Sequence, residues 1–182
     1  MAKAAFIDRD GVLNEERGFV HRSADFEFIA GSVEALRQLR AAGYLLVLIT
    51  NQSGIARGLY PESAFHELNA FMRERLAASG VTLDSVQYCP HLPDAPLAQY
   101  RRDCECRKPR PGMLLTASRL LDIDPAQSIL VGDRKADIDA GRAAGVGRCY
   151  LVRSGKPLSD SDVTEADGVF ADLAHCVAAV LR

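Results

Sequence analysis

The chain has 182 residues, 48% of them hydrophobic and 25% charged, with a formal net charge of −2. That is the balance of an ordinary soluble globular protein, expected to fold as a single domain over 1–182. It excludes a broad electrostatic footprint for nucleic acid or an anionic membrane, so any anion has to be bound locally.

The amino terminus, MAKAAFIDRD, runs directly into charged residues. With no apolar stretch long enough for a signal peptide or a span, the reading is a cytoplasmic protein. The first predicted strand covers Ala4–Ile7 and exits into Asp8-Arg9-Asp10-Gly11. Two carboxylates one residue apart, with a glycine that lets the backbone turn, allow one to attack a phosphoryl group while the other handles protons. A capped turn is the competing reading. A helix follows over Val33–Ala42, with Ser32 as its cap and Gly43 as its stop.

The second strand, Tyr44–Ile49, exits into Thr50-Asn51-Gln52-Ser53-Gly54. These hydroxyl and amide donors can hold phosphoryl oxygens or simply close a turn. Pro61 opens a helix over Glu62–Ala78 that stops at Gly80, and a weaker strand lies near Val86.

Five cysteines are an odd number for a disulfide framework. Cys89-Pro90-His91 and Cys104-Glu105-Cys106 form two pairs of soft ligands separated by 12 residues. Three thiolates and an imidazole make a complete tetrahedral set with no open position, so the 89–106 segment reads as a loop pinned by structural Zn²⁺. Disulfides, disfavoured in the cytosol, and unbonded thiols are the alternatives. Cys149 and Cys176, in an apolar strand and a terminal helix, read as buried inert thiols.

The loop runs into Arg107-Lys108-Pro109-Arg110-Pro111, where two prolines hold cations ahead of a helix over Gly112–Leu121. A fixed lysine there can neutralise charge on a transferring group, and a solvated basic turn is the bland alternative. The strand Ile129–Val131 exits into Gly132-Asp133, with Asp137 four residues on. Asp133 suits Mg²⁺, which takes one or two carboxylates together with phosphate and water oxygens. A helix over Ala136–Ala144, a stop at Gly145, a strand over Cys149–Val152 and a polar surface connection over Arg153–Asp167 complete the reading. Strands alternating with helices predict an α/β fold: a doubly wound parallel sheet with ligands beyond the carboxyl ends of its strands.

In order, the four strand exits resemble the four signature motifs of the haloacid dehalogenase superfamily. That resemblance implies a Rossmann-like phosphatase with Asp8 as nucleophile and Asp10 as general acid and base. It makes Thr50 the phosphoryl hydrogen-bond donor and Lys108 the cation that steadies Asp8 and the phosphoryl group. Mg²⁺ would be shared by Asp8, Asp133 and the backbone carbonyl of Asp10. An aspartate at the acid position implies hydrolysis over dehalogenation, and Val12, where many members carry threonine, is a departure that touches no catalytic role. The chain between Asp10 and the second strand is too short for a cap domain, so a capless site shaped by loops is expected.

Together with the cysteine loop, the segments DRDG, TNQSGIARG and CRKPRPGM resemble the zinc-loop, histidinol-phosphatase-like subgroup, in its branch acting on heptose bisphosphates. The likeness runs from Ala5 to about Pro157. It implies hydrolysis of the 7-phosphate of a heptose 1,7-bisphosphate, on the route to the nucleotide-activated heptose of lipopolysaccharide or surface glycans. It also implies substrate contacts at Glu16, Arg17, Gly18, Phe19, Asn51, Gln52, Ser53, Arg107 and Arg134. The expected partner is a small-molecule sugar bisphosphate, with no nucleic acid or membrane partner, and the expected state a monomer. Three alternatives stay open. One is a histidinol-phosphate phosphatase; another is a polynucleotide 3′-phosphatase, against which the low positive charge counts. The third is a non-catalytic phosphate- or partner-binding module, against which the intact carboxylates count.

Overall fold

The computed structural model describes residues 1–182. Its apolar runs form six strands: β1 (Ala4–Asp8), β2 (Leu45–Asn51), β3 (Ser85–Cys89), β4 (Ile129–Gly132), β5 (Arg148–Val152) and β6 (Gly168–Phe170). All pair in parallel, in the order β3-β2-β1-β4-β5-β6. Every residue of the central β1 and β4 is buried, because a parallel sheet wound with helices has no solvent face.

The helices are α1 (Ser32–Ala41), α2 (Ser53–Ala56), α3 (Glu62–Ala78), α4 (Gly112–Leu120), α5 (Lys135–Ala143), α6 (Asp160–Val163) and α7 (Leu173–Val180). Period-2 alternation splits the strand residues between two cores. Ala5, Ile7, Leu46 and Leu48 pack with Leu36 and Leu39 of α1, Leu68 and Met72 of α3, and Leu173 of α7. Ala4, Phe6, Val47 and Ile49 pack on the other face with Met113 and Leu114 of α4 and Ile138 of α5. Deleting one of these leucines to alanine would cost about 2–5 kcal/mol, so both layers hold the sheet rigidly. No helix is long and apolar enough to cross a membrane.

Three local expectations need correction. Ser32 does not cap α1: Gly31 takes the cap position at φ +81°, and the Ser32 hydroxyl donates to the Leu13 carbonyl at 3.0 Å. The hydroxyl thereby ties α1 to the loop that leaves β1. The polar exit after Ile49 is not a turn at Thr50. Pairing of Asn51 with Cys89 extends β2 through Thr50 and Asn51, and Ser53 then starts α2. Nor is Arg153–Asp167 only a surface connection, since Ser154 donates to the Gly11 carbonyl at 2.8 Å and Lys156 reaches Asp133.

The strand order reverses between β1 and β4, and both exit at the same edge of the sheet. A crevice opens there.

Candidate active site

Asp8 is the last residue of β1, and Asp133 follows directly on β4, so the sheet brings the two carboxylates together across the crevice. Asp137, in the first turn of α5, joins them: ligand atoms of Asp8, Asp133 and Asp137 all lie within 4.8 Å of one another. Lys108 Nζ enters this group at 2.9 Å from Asp8 Oδ1 and 2.6 Å from Asp137 Oδ1. All four side chains are buried. Three carboxylates and one ammonium leave a formal charge of −3 + 1 = −2 at the floor of the crevice.

The electrostatics follow from that crowding. Burial pushes the Asp8 carboxyl well above its usual range; Lys108 pulls it back, while Asp137 and Asp133 push it further up. Burial, with Asp137 beside it, raises Asp133 to about 6. Burial alone would weaken the charge on Lys108, but Asp137 and Asp8 outweigh it and raise its pKa.

Asp137 is the keystone. Its Oδ2 accepts from the backbone N–H of Asp133 at 3.2 Å and of Arg134 at 3.1 Å, while Oδ1 holds Lys108. Asp133 Oδ2 accepts from the Lys156 backbone at 2.9 Å, whereas its buried Oδ1 makes no hydrogen bond and has only Arg134 Nε, at 3.7 Å, as an ionic neighbour. A methyl group on Gly155 would lie 2.0 Å from Asp133 Oδ2. Only a glycine lets the Ser154–Lys156 segment close over that carboxylate.

A buried Asp133 oxygen without a hydrogen bond and the residual charge of −2 are what a hard divalent cation requires, so the residues present fit Mg²⁺. The Asp10 carboxylate does not converge with the other three. It is turned toward Arg9, Asn14 and Gln52, which leaves its backbone carbonyl as the only part of Asp10 for a metal role.

The β2 exit proves to be scaffold as much as contact. The Asn51 amide donates to the Lys108 carbonyl and accepts from the Lys108 N–H, both at 3.1 Å, pinning the lysine backbone. Gln52 donates to Thr50 Oγ1 at 2.8 Å and to Asp10 Oδ2 at 3.2 Å, while its oxygen accepts from Tyr60 at 2.7 Å. The Lys108–Pro109 peptide bond is cis.

Upstream of Lys108, the sulfurs of Cys89, Cys104 and Cys106 stand 3.0–3.4 Å apart, and His91 Nδ1 lies 3.4 Å from Cys106 and 3.8 Å from Cys89. These spacings are too long for a disulfide, about 2.05 Å. The sulfur–sulfur distances are about 0.4–0.8 Å below the edge of a Zn–S tetrahedron, about 3.8 Å for bonds near 2.3 Å. The four residues therefore fit a closed Zn²⁺ site. Arg107 donates to the His91 carbonyl at 3.4 Å, which links the loop to the basic pair.

The cleft of about 290 Å³ is lined by Asp8, Asp10, Glu16, Gly18, Phe19, Thr50, Asn51, Gln52, Ser53, Arg107, Lys108, Arg134 and Asp137. Among the expected contacts, Arg17 lies elsewhere. It pairs with Glu27 on the outside of its loop and lines none of the cleft. Glu16 sits between Arg134 at 3.5 Å and Lys156 at 3.6 Å, so it orients cations as well as facing the cleft.

Arg57, Tyr60 and Lys156 also line the cleft, and sequence reasoning passed over them. Arg57 stands in the TNQSGIARG run already singled out and was legible there. Tyr60 and Lys156 lie in segments that carried no signal.

The HAD-hydrolase-like family model matches residues 105–176. The D-glycero-β-D-manno-heptose-1,7-bisphosphate 7-phosphatase of Pasteurella multocida is 49% identical over 174 residues, covering 96% of this chain and 94% of that protein. Its namesake from Vibrio cholerae is 51% identical over 161 residues, covering 88% and 87%. Among solved structures, the D,D-heptose 1,7-bisphosphate phosphatase of B. bronchiseptica, complexed with magnesium and phosphate, superimposes with a TM-score of 0.83. It is 34% identical and covers 98% of both chains.

Proposed function

Because the chain belongs to the HAD-like family of D-glycero-β-D-manno-heptose-1,7-bisphosphate 7-phosphatases, we propose that it hydrolyses the 7-phosphate of that bisphosphate through an aspartyl-phosphate on Asp8. The observation that carries this reading is the buried Asp8–Lys108–Asp137–Asp133 group at the point where the strand order reverses.

In the first half-reaction Asp8 forms a bond to phosphorus while the bond to the sugar oxygen breaks. The electron pair leaves with that oxygen, and Asp10 supplies its proton. Thr50 and the Lys108 ammonium meet the equatorial phosphoryl oxygens, where charge concentrates in the transition state. In the second half-reaction Asp10 takes a proton from water as it attacks phosphorus, releasing phosphate and Asp8. Mg²⁺, held by Asp8, Asp133 and the backbone carbonyl of Asp10, supplies charge neutralisation and orientation when bound. Arg57, Arg107, Arg134 and Lys156 give the cleft mouth the cations a second phosphate requires.

Cys89, His91, Cys104 and Cys106 hold structural Zn²⁺, which fixes the 89–106 loop and, through Arg107, the approach of Lys108. The whole chain works as one capless phosphatase domain, a cytoplasmic monomer in nucleotide-activated heptose biosynthesis.

Phosphate release from heptose bisphosphate and from histidinol phosphate, measured side by side, tests the assignment. Expected is strong preference for the bisphosphate, with Asp8→Asn lowering kcat by roughly 10³-fold or more. Faster turnover of histidinol phosphate would overturn the substrate, and full activity of Asp8→Asn the mechanism.

A further inference from the structure

Arg9 is among the largest fully buried side chains in the protein, 2% exposed. It is an arginine inside the catalytic loop that points away from the cleft. Its guanidinium forks onto Asp10, with Nε 3.1 Å from Oδ2 and one terminal nitrogen 3.0 Å from Oδ1. The same terminal nitrogen donates to the Val20 carbonyl at 2.8 Å. Val20 follows Gly18 and Phe19, which face the cleft.

A second route joins the same two places. His21 stacks on Tyr60 at 4.5 Å with an interplanar angle of 7°. Tyr60 then donates to Gln52, which donates to Asp10.

We propose that Arg9 is a positioning residue: its fork aims the Asp10 carboxyl at the leaving oxygen and locks it to the loop around Val20 that faces the substrate. The inference rests on the phosphatase reading above. A bidentate guanidinium fixes both oxygens of a carboxylate in one plane, which an ammonium cannot do. With both oxygens fixed, the proton of Asp10 sits where the sugar oxygen departs as the bond between phosphorus and that oxygen breaks. Arg9 itself gains and loses no proton. Its second hand, on Val20, makes any shift of the loop a shift of the acid.

Leaving-group dependence separates aim from general damage. A sugar alkoxide needs a proton to leave, whereas p-nitrophenolate leaves without one, and kcat/KM covers binding through departure of the leaving group but not the later hydrolysis of the aspartyl-phosphate. In Arg9→Met, kcat/KM for the heptose bisphosphate is expected to fall about 10²-fold while that for p-nitrophenyl phosphate falls less than about 5-fold. Arg9→Lys keeps the charge and loses the fork, and should show the same selectivity at about 10-fold. It also carries the test if the methionine variant does not fold. Equal losses on the two esters in the folded variants, or no loss, would overturn the positioning role. An unsubstituted protein inactive on both esters would overturn the phosphatase reading instead.

Discussion

Lys108→Met removes the buried cation that bridges Asp8 and Asp137 in a group of three buried carboxylates, while keeping most of the aliphatic stem. Two contacts disappear, at 2.9 Å to Asp8 and 2.6 Å to Asp137, together with a 3.3 Å hydrogen bond to the Ile49 carbonyl. Stripping one partner from a buried pair costs about 3 kcal/mol or more. At 2–4 °C per kcal/mol for a chain of this size, Tm should fall by about 6–12 °C near neutral pH.

The sign of the pH dependence follows from Asp8. Burial already raises its pKa, and Lys108 is what holds it down, so removing the lysine raises it further. The ionised nucleophile then requires higher pH, and the acidic limb of the kcat/KM profile moves upward. The stability gap between variant and unsubstituted protein runs the other way. It is widest where Asp8 is ionised and narrows as pH falls and the acid protonates, because a neutral carboxyl needs no counter-charge. Transition-state charge also goes unmet, lowering kcat by about 10²–10³-fold. Thermal unfolding at several pH values, with pH–rate profiles of both proteins, reads all three effects. An unmoved acidic limb with a Tm loss under about 2 °C would refute the view that this lysine balances the buried acids.

Three further outcomes are expected. Gly155→Ala places a methyl group 2.0 Å from Asp133 Oδ2; the displaced carboxylate should raise the Mg²⁺ concentration for half-maximal activity about 10-fold or more, measured by titration. Cys106→Ser should drop the zinc content from about one per chain and lower Tm; full zinc by metal analysis would refute the ligand set. Glu62 accepts from Tyr88 at 2.6 Å and from Tyr100 at 2.9 Å, clasping α3 to the cysteine loop, and the Tyr88 hydroxyl holds its pKa below the usual value. That stability is present above the ordinary carboxyl pKa and lost as pH falls through the lowered one. Glu62→Ala should therefore cost about 1 kcal/mol at pH 7, with the Tm difference closing in acid.

The exits of β1, β2 and β4 were legible because they depend on short-range patterns, while the Lys108 segment, expected with them, leaves no strand and enters from the loop before α4. An apolar run of β-branched residues forms a strand wherever it is covered, and polar residues at its end must emerge at the sheet edge. The cysteine pairs were legible for the same local reason, since soft ligands two residues apart converge whatever the rest of the chain does. β6 was not: three residues beginning at Gly168 carry too little pattern, and only pairing with β5 makes them a strand. Ser32 had the chemistry of a cap, but Gly31 could adopt the left-handed backbone the turn required, and the hydroxyl turned inward to Leu13.

Among the site residues, the sequence by itself determined that Asp8, Asp10, Thr50 and Asp133 would stand at one edge of the sheet, since parallel strands deliver their carboxyl ends there, whereas Lys108 comes in from the loop between β3 and α4. Tertiary structure alone decided which of them would be buried, and against what. It put Asp137 between Lys108 and the Asp133 backbone, turned Arg9 under Asp10, faced Arg17 outward to Glu27, and folded Gly155 and Lys156 over Asp133. A charge in a motif has the same chemistry wherever it stands. Its strength, its partner and its protonation depend on how much water the fold removes and which distant groups replace it.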